Sequence, residues 1–209
     1  MKFERSLLVL DLDGTITKSD NLVRFTVFML FNKKRLRFSI FFPLLLLLKF
    51  GIIDNNKFKN LYSSLILKNL DISYIDKCAA DYCALDSFKK DINKDVLDFM
   101  KKYDNAEKVI LSANFSFLVI PISNLLDIKS QVSVQLETKE NKFSGRTAGI
   151  IPFGSAKIDA LKEYLEDSKY DATMGLADSK KDIPLLKFLD EGYIVTSNNN
   201  SGKTIFIKV

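Results

Sequence analysis

Four short clusters of polar residues stand out as able to do chemistry. The first is Asp11-Leu12-Asp13-Gly14-Thr15, which closes a short apolar run begun at Leu7. Alternate residues of a strand share a face, so Asp11 and Asp13 would both address a site beyond the strand's carboxyl end. Gly14 lets the chain turn sharply there. The second is Ser112, directly after Val109-Ile110-Leu111. A hydroxyl and a free backbone N–H at a strand end, before a helix, suit a phosphate oxygen. The third is Lys157, at the start of a helix after Gly154-Ser155. An ammonium there could neutralise a phosphoryl group and hold a nucleophile's charge. The fourth runs from Gly175 to Asp182, where acids again follow an apolar strand. Asp178 and Asp182 are one helical turn apart. Carboxylates so placed could hold Mg²⁺ directly and through water, since that ion prefers hard oxygens and keeps several waters. Each cluster alone has an ordinary explanation: a turn, a helix cap, a surface lysine, a capping acid. Together they are a pattern, because each acidic or hydroxyl cluster ends a strand.

The elements that must hold these clusters alternate strand with helix, so the fold class is α/β with a Rossmann-like three-layer core and a mostly parallel sheet. Strands are expected near Leu7–Leu12, Val109–Leu111, Met174–Ala177 and Tyr193–Thr196, with an edge strand at Thr204–Lys208. Helices are expected at Phe115–Leu126, Ala156–Asp167 and Ile183–Phe188. Gln131–Glu137 alternates polar with apolar, and Asn141–Gly149 carries turn signals, which predicts a hairpin. Asn198–Asn200 reads as a polar turn. The stretch from about Asn21 to Lys102 is mostly helical and too large for a crossover between strands. It is read as an inserted helical cap over 18–102, with 1–17 and 103–209 forming the catalytic core.

Composition removes several mechanisms. The 209-residue chain has no histidine, which excludes Ser-His-Asp and Cys-His catalysis and HExxH zinc hydrolysis. Acid–base work must come from Asp, Glu, Lys, Tyr or Cys. Cys78 and Cys83 are too few for a disulfide framework and read as reduced core thiols. The net charge of +5 is mildly basic, and no basic run is interleaved with aromatics, so no nucleic acid is expected. Asp11 and Asp13 interrupt the first apolar run too early for a signal peptide, which leads to a cytoplasmic expectation.

The order of these motifs over nearly the whole chain resembles the haloacid dehalogenase superfamily of phosphatases and phosphotransferases. Leu111-Ser112-Ala113, Gly145, Gly154-x-x-Lys157 and Asp178-Ser179-x-x-Asp182-Ile183-Pro184 look like its phosphoserine-phosphatase branch, whose helical cap follows the first motif. The resemblance implies an aspartyl-phosphate formed on Asp11. It makes Asp13 the general acid and then the general base. Asp11, the backbone carbonyl of Asp13 and Asp178 would hold Mg²⁺. Ser112, Ala113 and Lys157 would hold the phosphoryl oxygens, and Thr15, Ser179 and Asp182 would support them. The chain departs from the pattern at Ala177, where the branch has glycine, and at Asn114 and Phe115, which replace smaller residues.

The substrate is less legible. Asp20 stands where phosphoserine phosphatases carry a substrate-binding acid, yet it reads first as the N-cap of the helix from Asn21. Arg24, Arg35 and Arg37 are either anion-binding or solvated. Phe38–Leu48 is leucine-rich and follows Lys33, Lys34, Arg35 and Arg37. It is too short and too broken by Pro43 for a membrane span. A basic apolar helix of this kind either docks on an anionic membrane surface or forms the cap's own core. The stretch is similar to one in phosphatidylglycerophosphate phosphatases of the superfamily. The expected substrate is therefore a lipid or amphiphilic phosphomonoester, with peripheral contact at the inner face of the membrane. The alternatives are a small polar phosphomonoester, a phosphotransferase acceptor, or a non-catalytic module that binds a membrane or partner.

Overall fold

The structure is a computed structural model that describes residues 5–166, 168–197 and 204–209. The polar turn expected at Asn198–Asn200, the start of the chain at Met1–Glu4, and Asp167 lie outside the described residues.

β1 (Ser6–Leu10) is the centre of a seven-stranded sheet among the described residues. It pairs in parallel with β2 (Glu107–Phe115) on one side and β5 (Ala172–Ala177) on the other. β3 (Ser130–Lys139) and β6 (Glu191–Ser197) extend the sheet in parallel, and β4 (Lys142–Ala148) and β7 (Thr204–Lys208) close its edges antiparallel. The strand order is β4-β3-β2-β1-β5-β6-β7. Coverage of both faces explains why β1 is apolar from Leu7 to Leu10. Leu8 and Leu10 join the larger core on one face, and Leu7 and Val9 join a smaller core on the other.

That smaller core is closed by α8 (Ala156–Leu165) and α9 (Ile183–Phe188) through Ala160, Leu161, Leu185 and Leu189. The larger core is closed by α7 (Ser116–Leu125) and by helices lying between β1 and β2 in the chain. These are α1 (Asn21–Phe31), α2 (Phe41–Lys49), α3 (Asn55–Tyr62), α4 (Ile72–Ala84), α5 (Asp86–Asp91) and α6 (Lys94–Lys101). A 3₁₀ turn, Leu36–Ile40, leads into α2, and a π-helical turn, Ser63–Leu67, follows α3. The expected helical block is thus a series of short helices, several started by a side-chain cap. Asp20 accepts from the Val23 N–H at 2.9 Å, as its N-cap reading requires, and Asp54 and Asp71 do the same for α3 and α4.

Entry to and exit from this block run side by side. Thr17 bridges to Ile92, the Lys18 N–H donates to the Asp91 carbonyl, and Ser19 and Arg24 both hold the Asp91 carboxylate. Beyond that neck, α6 stacks Phe99 on Phe206 and packs it edge-on against Tyr193 of the sheet.

The hairpin between β3 and β4 turns at Glu140 and Asn141, both at positive φ, which is the primed turn that matches strand twist. Cys78 and Cys83 are buried and unpaired, and burial pushes the Cys83 thiol up to about 12. No helix among the described residues is long and apolar enough to cross a membrane. In α2, Phe41 and Leu44 are buried while Phe42 and Leu46 are exposed, so one side of the leucine-rich stretch belongs to the core and the other does not.

One expectation fails in detail. β2 does not stop at Leu111 but continues through Ser112 to Phe115, and its pairing with β3 shifts register between Leu111 and Phe115. Ser112 therefore sits inside an irregular strand rather than at its end. The N–H two residues on is not free, because Asn114 donates it to the Ser112 hydroxyl at 3.2 Å.

Candidate active site

The carboxyl ends of β1, β2 and β5 meet the start of α8 and the loop before α9 in a pocket of about 250 Å³. Open α/β sheets bind ligands at this edge because strand ends and helix starts converge there. Asp11, Asp13, Ser112, Ala113, Lys157, Asp178, Ser179 and Asp182 all line it. Thr15 does not: its side chain is buried behind the motif, and its hydroxyl has no partner among the described residues.

Lys157 organises the floor. Gly154 takes φ +57°, and the Lys157 N–H returns to the Gly154 carbonyl, so α8 begins with this side chain turned inward. Its ammonium donates to Asp11 Oδ1 at 2.8 Å and to Asp182 Oδ2 at 3.0 Å, and it is 3% exposed. Burial pulls its pKa down, but the two carboxylates outweigh that and hold it above the ordinary lysine value. Asp11 is fixed from behind, its N–H donating to the Leu176 carbonyl at 2.9 Å.

Asp178 and Asp182 do not share a regular helix turn, as their spacing suggests they would. Asp178 leads out of β5, and a 3₁₀ turn, Lys180–Asp182, carries Asp182 back toward Lys157 before α9 begins. Ser179 starts that turn, its hydroxyl accepting from the Lys181 N–H. Asp178 reaches the floor through space vacated at Gly14, whose φ is +74°. A Cβ there would lie 2.1 Å from Asp178 Oδ2, so glycine is required for both turn and contact.

One carboxylate oxygen each of Asp11, Asp178 and Asp182 lies within 4.8 Å of the others. Partial desolvation and the Asp11 charge push Asp178, whose side chain stays exposed, up to about 6, and burial outweighs Lys157 in raising Asp182. Three crowded carboxylates with one buried ammonium leave negative charge uncompensated. The donor set, all hard oxygen, fits a divalent cation such as Mg²⁺.

Asp13 faces the other way. Its Oδ1 accepts from the Asn21 N–H at 2.9 Å and from Asn21 Nδ2 at 2.7 Å, and its Oδ2 accepts from Asn114 Nδ2 at 2.7 Å. Asn21 is itself held by Thr17 and Tyr82. Burial first, then the charge on Asp20, push Asp13 up to about 7 despite those hydrogen bonds. A carboxyl poised there can both give and take a proton near neutral pH.

Several residues in or beside the pocket are poorly marked in the sequence. Asn21, which holds Asp13 without lining the pocket, carries no signal beyond a polar residue in an apolar context, and Asn114 stands out only as a departure from the resembled motif. Lys59 of α3 is 6% exposed and lines the pocket from the helical side, with Asn55 and Asp20. Only its place beside Phe58, on a helix with Tyr62, hints that it faces inward. Arg24, Arg35 and Arg37 stay out of the pocket. Arg24 pairs with Asp91, Arg35 donates to the Tyr74 hydroxyl, and Arg37 donates to the Leu65 and Lys68 carbonyls.

The family model described as haloacid dehalogenase-like hydrolase matches residues 8–187, and the chain belongs to that family. A histidinol-phosphatase of Neisseria meningitidis serogroup C (strain 8013) is 29% identical over 91 residues, and that match spans 41% of either chain. The chain thus matches less than half the length of this curated relative. Among solved structures, a protein of unknown function from Bordetella pertussis Tohama I superposes with a TM-score of 0.79 at 17% identity, covering 90% of this chain and 88% of that one. A phosphoserine phosphatase held as a phospho-aspartyl intermediate analogue superposes with a TM-score of 0.61 at 17% identity, covering 90% and 85%. At these identities the superpositions show the fold.

Proposed function

We propose that this chain is a Mg²⁺-dependent phosphomonoester hydrolase that works through an aspartyl-phosphate on Asp11. The observation that carries the reading is the ammonium of Lys157, buried between Asp11 and Asp182 and hydrogen-bonded to both. The phosphatase names of the relative and of the solved neighbour support it.

The Asp11 carboxylate attacks phosphorus as the ester P–O bond breaks. Asp13, protonated, gives its proton to the departing alkoxide, which leaves as the alcohol. The Asp13 carboxylate then takes a proton from water as that water attacks phosphorus, and the Asp11–phosphate bond breaks to release inorganic phosphate. Ser112, Ala113 and Lys157 would hold the phosphoryl oxygens through both steps. Phosphoryl transfer has a loose and highly charged transition state, so positioning and charge neutralisation dominate, and a chain without histidine is not handicapped. Asp11, Asp178 and the Asp13 carbonyl, with Asp182 close by, would hold Mg²⁺, which neutralises charge on the transferring group when bound.

The helices over 18–102 act as a cap turning on the neck between Thr17 and Ile92, with the last helix, α6, resting on the sheet. An amphiphilic substrate presented at a membrane surface is the finer reading. It is favoured by Phe31, Leu36, Phe50 and Ile52 of this block, each at least 65% exposed, beside Lys34, Arg37 and Lys49. The protein would then work in the cytoplasm at the inner membrane face.

The test is phosphate release from a panel of soluble and lipid phosphomonoesters, with Mg²⁺ and with EDTA. Turnover that needs Mg²⁺ and vanishes in Asp11→Asn is expected. Turnover that survives that substitution would remove the proposed nucleophile.

A further inference from the structure

Asn114 is a buried polar side chain of the pocket to which the proposed chemistry gives no role. It is 2% exposed and lines the pocket. β2 brings it there by an irregular path. Leu111 pairs with Val132 and Phe115 with Val134, so four steps along β2 match two along β3. Extra residues of this kind bend a strand and re-aim its side chains. The Asn114 N–H returns to the Ser112 hydroxyl at 3.2 Å, which fixes the local bend. The side chain then reaches across to the end of β1, where Nδ2 donates to Asp13 Oδ2 at 2.7 Å.

The two oxygens of Asp13 are held differently. Oδ1 accepts twice, from the Asn21 N–H at 2.9 Å and from Asn21 Nδ2 at 2.7 Å. The Asn21 amide is pinned in that orientation, because its Oδ1 accepts from the Tyr82 hydroxyl at 3.1 Å and its Nδ2 also donates to the Thr17 hydroxyl at 2.7 Å. A carboxylate oxygen has two lone pairs in its plane, so Oδ1 is filled. Among the described residues Oδ2 has one donor, Asn114, and so keeps one lone pair for the pocket.

We propose that Asn114 is a positioning residue for proton transfer: it holds Asp13 so that Oδ2 is the oxygen that carries the proton and faces the departing group. This rests on the phosphatase reading and deepens it. In the first step the Oδ2–H bond breaks as its proton moves to the departing ester oxygen. The bond from that oxygen to phosphorus breaks, and the bond from Asp11 to phosphorus forms. Asn114 donates to the other lone pair of Oδ2 throughout, and more strongly once the oxygen is ionised. In the second step the vacated lone pair takes a proton from the attacking water, and the Asp11–phosphorus bond breaks. Without Asn114 only the Oδ1 side is held, and the carboxyl can rock about its Cβ–Cγ bond, a soft torsion.

The experiment measures wild type and Asn114→Ala on phosphomonoesters graded by leaving group, from p-nitrophenyl phosphate to ethyl phosphate. p-Nitrophenolate departs without a proton, and ethoxide needs one. For both, kcat/KM reports the steps up to release of the alcohol or phenolate. It should fall roughly 10- to 100-fold on ethyl phosphate, the cost of a misplaced reacting group. It should fall less than about threefold on p-nitrophenyl phosphate, whose departure uses no general acid. The second step is common to all esters. On p-nitrophenyl phosphate kcat and KM should therefore fall together, with a burst of p-nitrophenolate as the phosphoenzyme accumulates. That retained first step also shows that the variant is folded. Asn114→Leu, which keeps the bulk but has no donor, should behave as Asn114→Ala does. Equal losses of kcat/KM on every ester without a burst overturn the proposal, and with a raised KM they make Asn114 a ligand of the phosphoryl group instead. An unchanged kcat/KM on ethyl phosphate overturns it too, as does recovery in Asn114→Leu, which would assign the effect to filled space. Each of these, with wild type active, removes the positioning role alone. Wild type that turns over no ester removes the phosphatase reading and the positioning role with it.

Discussion

Two buried lysines look into one pocket and differ in almost everything else. Lys157 comes from the core, from the first turn of α8, and touches two carboxylates. Lys59 comes from the helical block, from α3, and touches two aromatic rings. The carboxylates that hold Lys157 above the ordinary lysine value touch it, whereas those near Lys59, Asp20 and Asp13, act only at longer range and burial outweighs them. A cation whose partners are built in is a fixed part of the machinery, ready for any phosphoryl group. Among the described residues Lys59 has no ion pair, and carboxylate charge reaches it only at longer range, from Asp20 and Asp13.

The most severe way to break the comparison is at the floor. Lys157→Met leaves Asp11 and Asp182 buried without their counter-charge, which should cost about 3–5 kcal/mol of stability in metal-free protein. It should also lower kcat by at least ~10²-fold, the usual loss for a preorganised charge at a reacting centre. Urea unfolding and single-turnover phosphate release would measure the two losses. A stable Lys157→Met protein would mean that the pairing is dispensable to the fold.

Divalent metal should sharpen the contrast. Mg²⁺ at 100 times its dissociation constant would stabilise wild type by about 2.7 kcal/mol. Lys59→Met should keep that gain, because Lys59 does not face the acidic floor. Asp178→Asn should lose most of it, since Asp178 is one of the three clustered carboxylates. Thermal unfolding with and without EDTA reads both.

Lys59→Met should move stability the other way from Lys157→Met. Gains from single stabilising changes are commonly ~0.5–2 kcal/mol, read here as a higher urea midpoint. If both lysine variants destabilise alike, the distinction between a paired lysine and one set against aromatic rings collapses.

The smallest effect concerns Asp20. Asp20→Asn keeps a good N-cap for α1 while removing a charge near Lys59. Affinity for a charged ester, measured in the Asp11→Asn background, should improve by about two- to fivefold, the size of one screened charge interaction. Weaker binding would mean that Asp20 holds the ligand itself.

Much of the site is legible in the sequence. Asp11, Asp13, Lys157, Asp178 and Asp182 can be picked out because each belongs to a short motif at a strand end or helix start, the edge of an open α/β sheet where ligands bind. The mostly parallel sheet is legible for a similar reason. Leu7 to Leu10 and Val109 to Leu111 are apolar on both faces, which only a doubly covered strand tolerates. Ser112 is identifiable by type but not by setting, since no local pattern shows that β2 runs on to Phe115 through a register shift.

The sequence by itself determined the chemistry available: carboxylates and a lysine, no histidine, and a strand-ending order that puts acids at one edge of a sheet. Those properties follow from residue type and from periodicity along a few neighbouring positions. Tertiary structure alone decided which groups meet. It turned Asp13 toward Asn21 and Asn114, the latter 101 residues away, while Asp11 met Lys157, 146 residues away. It also decided that Lys59 is buried against Phe115 rather than solvated. A charged residue on a short amphipathic helix looks the same in sequence whichever way it faces, and its environment exists only once the helices have packed.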